Sequence, residues 1–170
     1  MNSTHIHLLL NHFPVIGTLI GSGLLLWGIV KKQDQVKTIA AAILVLMALL
    51  AIPVYLTGEP AEESVEKLPG VMESMIEMHE DAATIAIWLM GLAGLAALLS
   101  LFLHWQKKSF SKTAFSITFV LALICFAAMA RTGYYGGQIR HTEIRTGAEA
   151  ALQNSNEGGN GEKGKDKDDD

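Results

Sequence analysis

Six histidines carry the chemistry this chain has to offer: His5, His7, His12, His79, His104 and His141. Imidazole ligates zinc, copper, iron and haem. A single histidine near a membrane surface is ordinarily just hydrated. His5, close to the N-terminus, and His104, beside Trp105-Gln106-Lys107, are read that way. His12 differs, because an apolar run precedes it and Phe13-Pro14 and a longer apolar run follow. An ionisable group so placed ordinarily turns into a helix bundle and meets a partner there. Pro14 frees a carbonyl one turn earlier and is able to redirect this turn of helix. His141 follows Gly136-Gly137, a pair that can fold the chain back.

The residues around the histidines narrow the ligand. There is one cysteine, Cys125, inside an apolar run, so no CxxC metal site or disulfide framework exists. It reads as a small packing residue. No CxxCH occurs, which excludes covalent haem c. Imidazoles without thiolates and with few inward carboxylates favour haem b, one or two per chain. His12 and His79 are the first pair of axial ligands, with His7 and His141 as a second pair or substitutes. Gly17, Gly21, Gly23, Gly133, Gly136 and Gly137 leave room for a flat macrocycle, although Gly17-x-x-x-Gly21 equally suits close helix packing. Arg131 is placed to pair with haem propionates, or else snorkels to the interface. Glu80 and Asp81 read first as plain interfacial charges, and otherwise as groups that orient His79 or accept protons from a quinol. The alternative ligand is copper or zinc on the same four histidines. Tetrahedral zinc needs three or four converging donors, whereas haem needs two facing ones.

The elements that must position these groups are membrane helices. Half of the 170 residues are hydrophobic, although the last eighteen are almost wholly polar. The apolar residues form runs of membrane length, at about 7–30, 36–56, 82–103 and 113–135. At about 1.5 Å per residue each crosses a hydrocarbon core of about 30 Å. The first run lacks a basic leader and a small-residue cleavage site, so it is read as a span rather than a signal peptide. A short helix at about 60–67 and a long one at about 71–104 are expected between the second and third spans. Residues 1–152 form the four-helix domain, and the polar stretch 153–170 is expected to be disordered. The fold class is therefore an all-α integral membrane four-helix bundle. No basic cluster with interleaved aromatics suggests nucleic acid.

Charge sets the expected orientation. Lys31, Lys32 and Lys37 mark the first connection and Lys107, Lys108 and Lys112 the third, against Glu59, Glu62, Glu63, Glu66, Glu73 and Glu77 in the second. The positive-inside rule puts the lysines in the cytoplasm and both termini outside. Arg131, Arg140 and Arg145 weigh mildly the other way. Helical rise then sorts the histidines. His12 lies roughly 28 Å from the level of Lys31, and His7 roughly 36 Å; His79 lies roughly 37 Å from His104. All but His104 fall at the outer side.

His7-Leu-Leu-Leu-Asn-His12-Phe-Pro14 resembles the opening motif of an uncharacterised bacterial family of four-helix membrane proteins. Thr57-Gly58, His79 and Gly136-Gly137 with His141 occupy the family's further positions. Leu8 stands where that family has proline, and the spacing from Gly137 to His141 is shorter. The resemblance implies haem binding and service in a membrane redox chain of the bacterial inner membrane, with redox proteins or quinol as partners. A third reading is a structural subunit of a larger membrane complex.

Overall fold

The computed structural model describes residues 3–66, 68–141 and 144–145. The polar tail at 153–170 lies outside them. Every regular element described is helical: α1 Ser3–Leu10, α2 His12–Val30, α3 Asp34–Leu56, α4 Gly58–Val65, α5 Glu73–Trp105 and α6 Ser111–Arg140. Four helical segments are long and apolar enough to cross a membrane, Thr4–Val30, Asp34–Val65, Glu73–Trp105 and Ser111–Arg140. In hydrocarbon, every peptide group must find its partner within the helix, so such runs have no competing conformation.

Two boundaries differ from expectation. The first span is interrupted at Asn11, because Pro14 has no N–H to offer the carbonyl of Leu10. Asn11 keeps helical dihedrals (φ −58°, ψ −28°), and its own N–H reaches the His7 carbonyl at 2.9 Å. The break is thus in the bonding ladder rather than in the rotation of the helix. At the other end, Gly136-Gly137 does not turn the chain. Helix α6 runs through both glycines to Arg140.

A seven-residue repeat buries one stripe of each spanning helix. On α2 it reads Pro14, Thr18, Gly21, Leu25 and Gly28; on α6 it reads Phe115, Thr118, Ala122, Cys125 and Met129. On α3 the stripe includes Lys37, Ala40, Leu44, Met47 and Ala51, and on α5 Ala86, Met90, Ala93, Ala97 and Ser100. This is the spacing of helix-bundle packing. Small residues let backbones close in. A Cβ on Gly94 would stand 2.4 Å from Ala48 Cβ, and one on Gly21 3.0 Å from Leu44. Gly17 is filled by the Met47 side chain. The Gly17-x-x-x-Gly21 element is therefore a seat for α3, not an open slot. Large apolar side chains point outward instead, with Trp88 77% and Trp105 79% exposed, a surface compatible with a lipid bilayer.

The α2–α3 and α5–α6 turns are built alike. Lys32 (φ 54°) and Lys107 (φ 55°) occupy the left-handed position that glycine usually takes. Gln33 N–H bonds Gly28 O at 2.9 Å, and Lys108 N–H bonds Leu103 O at 3.0 Å, closing the same helix-ending motif twice. Both turns lie at one end of the bundle. Lys37 Nζ, on α3, stands 5.4 Å over the ring of Phe115 on α6 and 2.7 Å from Asp34. Asp34 also senses the charges of His104 and Lys112. Helix α4 and the start of α5 occupy the opposite, acidic end, where Glu62 senses Glu80.

Candidate functional site

Two histidines at the acidic end are each held by a backbone carbonyl of a neighbouring helix. His7 and Asn11 continue the buried stripe of α2 back into α1, since residues four apart on a helix share a face. The His7 ring is half-buried, and its Nδ1 lies 2.9 Å from the carbonyl oxygen of Val54 on α3. Thr57, at the α3–α4 corner, donates its hydroxyl to the Pro53 and Val54 carbonyls and stands 3.5 Å from the same Nδ1. Gly58 lies beside the His7 ring, where a Cβ would stand in ordinary contact, 3.8 Å from His7 Cε1. A hydroxyl pair, Thr4 to Ser64 at 2.8 Å, ties α1 to α4 beside it.

His79 extends the stripe of α5 in the same way. Its half-buried ring crosses to α6, where Nδ1 lies 2.9 Å from the carbonyl oxygen of Thr132. Gly136, one turn on, makes that approach possible. A Cβ at Gly136 would stand 3.0 Å from both Cε1 and Nδ1 of His79. The two imidazoles are close enough for a charge on His7 to act on His79.

A carbonyl oxygen only accepts, so Nδ1 carries the proton in both rings. Each neutral imidazole then keeps its lone pair on Nε2. A ring whose Nδ1–H is held by a backbone carbonyl has its tautomer and orientation fixed and its basicity raised, the usual second-shell support of a metal-ligating histidine.

The other site candidates stand elsewhere. His12 is exposed on the outside of α2, contrary to the expectation that it faces the bundle interior. Five helical residues separate it from His7, which rotates it about 140° away. Asn11 takes the inward position, with its Oδ1 buried and unbonded. His141 caps α6 and is exposed, its N–H bonded to the Gly137 carbonyl at 3.0 Å. Arg131 is exposed and turns to Tyr135, with its guanidinium 5.4 Å over that ring and Nε 3.5 Å from its hydroxyl. Among the described residues, no group of three or more His, Cys, Asp or Glu is placed to share a metal ion.

Gly136, expected to leave room for a macrocycle, instead seats the His79 ring. Sequence reasoning missed two partners, the carbonyls of Val54 and Thr132. It also missed Arg145, which is buried and donates to the carbonyls of Gln138 at 3.0 Å and Gly70 at 2.9 Å. That arginine clasps the end of α6 to the loop before α5. Comparison with protein families, with curated proteins and with solved structures gives no match.

Proposed function

We propose that this protein is a b-type cytochrome of the membrane, with haem ligated by Nε2 of His7 and Nε2 of His79. The observation that carries this reading is the shared state of the two rings. Both donate Nδ1–H to a backbone carbonyl, and both keep Nε2 free. Haem needs two imidazole ligands, while tetrahedral zinc needs a third and fourth donor. The chemistry of the donor set therefore fits haem better than it fits zinc. When bound, the haem iron supplies one-electron transfer. Ligation by two histidines leaves no open position on the iron, which favours electron transfer over chemistry on a small substrate.

The protein's part is to hold and orient. Val54 and Thr57 hold the His7 ring from α3; Thr132 and Gly136 hold that of His79 from α6. The ligand pair proposed here replaces the pairing of His12 with His79, because His12 faces outward. His141 is left outside the pair. The resemblance of the His7 to Pro14 element to a haem-suspected family points the same way.

By the positive-inside rule the lysine turns lie in the cytoplasm, and the histidine end and both termini lie outside. We place the chain in a bacterial inner membrane, exchanging electrons with a redox protein or a quinol beside the acidic α4. The test is the visible spectrum of the purified protein, followed by replacement of each histidine in turn. Haem retained in full by both His7→Ala and His79→Ala would remove the assignment.

A further inference from the structure

Deep in the bundle, sulfur atoms gather around one hydroxyl. Met90 of α5 and Cys125 of α6 are fully buried, as is Thr18 of α2, and Met129 of α6 is 7% exposed. Cys125 Sγ donates to Met90 Sδ at 3.4 Å. Thr18 Oγ1 lies 3.6 Å from Met90 Sδ and 3.9 Å from Met129 Sδ. Met47 of α3 brings a further sulfur against Gly17, the residue before Thr18. Three spanning helices thus deliver soft donors to one level, and the fourth carries the hydroxyl.

The conduct of Thr18 sets this cluster apart from ordinary packing. The hydroxyls of Thr38, Thr57, Ser100, Ser116 and Thr132 each bond the carbonyl four residues back. Thr18 forgoes that bond and points at two thioethers, which are weak acceptors. One turn on, Ser22 is 2% exposed with its Oγ unbonded, and two turns back the Asn11 Oδ1 is buried and unbonded. A polar row therefore runs along the inner face of α2 from the histidine end past the sulfurs, its outermost and innermost members lacking partners.

We propose that Cys125, Met90 and Met129 form a binding site for Cu(I). Thiol and thioether sulfur select that ion. Charge balance makes the choice sharper. On binding, the Cys125 S–H bond breaks, an S–Cu bond forms, and the proton leaves to solvent. One positive charge enters and one departs, so the apolar centre stays neutral. A divalent ion would leave a net charge among alanine and leucine side chains, which is costly at that depth. Met90 lies eleven residues along α5 from His79, about 16 Å deeper, and Cys125 lies seven residues along α6 from Thr132, about 10 Å. Met129, three residues from Thr132, is the ligand nearest the histidine end, and none of the three sulfurs is shared with the histidine pair.

The test uses the full chain in detergent micelles, titrated anaerobically with ascorbate-reduced copper against a chromogenic Cu(I) chelator. The expected result is one tightly held Cu(I) per chain whose X-ray absorption shows sulfur neighbours. Cys125→Ser and Met90→Leu should each weaken binding at least tenfold, and His7→Ala should leave it unchanged. Methionine to leucine conserves volume, and an unchanged helical circular dichroism spectrum certifies the fold. Failure to compete with the chelator, a nitrogen or oxygen shell, or full binding by both sulfur variants would overturn the proposal. So would copper lost with His7 rather than with Cys125.

Discussion

His79 lies across α6 with its Nδ1 2.9 Å from the Thr132 carbonyl, over the one glycine in that turn whose missing side chain admits the ring. A methyl group at Gly136 would sit 3.0 Å from the imidazole and push it off that carbonyl. Gly136→Ala should therefore release the tautomer. Nitrogen NMR of the imidazoles should show His79 with its proton on Nδ1 in the wild type and a mixture of tautomers in the variant. A His79 spectrum identical in the two would show that Gly136 does not seat the ring.

His7 and His12 should behave oppositely. His7→Ala removes the hydrogen bond to Val54, a loss of about 1 kcal/mol for a net bond of this kind, together with an imidazole lone pair. His12→Ala removes an exposed ring from the outside of α2. Denaturation in mixed micelles should thus show His7→Ala destabilised and His12→Ala within about 0.5 kcal/mol of the wild type. Equal destabilisation would argue against this facing of α1 and α2.

Glycines that look alike in sequence should differ in tolerance. The Gly94 backbone meets Ala48 Cβ, which has no torsion by which to move aside, so Gly94→Ala must part α3 from α5. Overpacking of that kind costs about 1–3 kcal/mol. At Gly17 the obstacle is the flexible end of Met47, and Gly17→Ala should cost less. Thermal unfolding ranks the two, and the reverse order would contradict the packing.

The lysine turns should carry a measurable strain. Lys32 and Lys107 adopt left-handed backbone that favours glycine. Lys32→Gly and Lys107→Gly should each stabilise the fold by about 1 kcal/mol. Each also removes one of the charges proposed to fix the topology. A reporter fused beyond α6 should reveal a fraction of inverted chains in the double variant that the wild type lacks. No gain in stability from either glycine would exclude strain at these turns.

Much of this fold is legible in the sequence, because lipid-length apolar runs leave the backbone no alternative to helix. The long helix expected from about residue 71 begins at Glu73, and the short one expected at 60–67 spans Gly58–Val65. Gly136-Gly137 misled, since the pair suggests a turn. Breaking α6 there would strip hydrogen bonds from peptide groups beside apolar surface, so the helix continues. The layer holding His7 and His79 follows from helical rise alone. Which histidine faces inward does not, and rotation decides it: the stripe through Pro14, Thr18, Gly21 and Leu25 reaches back to His7 and Asn11 and passes His12 by. The backbone carbonyls that hold the rings carry no side-chain signature, so no reading of residue types could have named Val54 or Thr132.

Reduced-minus-oxidised spectroscopy of protein purified from haem-replete cells tests the proposed function most directly. The expected result is a Soret and alpha band from one haem per His7–His79 pair, lost in His7→Ala and in His79→Ala and kept in His12→Ala. A wild-type protein without those bands, or a haem that survives both ligand variants, would contradict it.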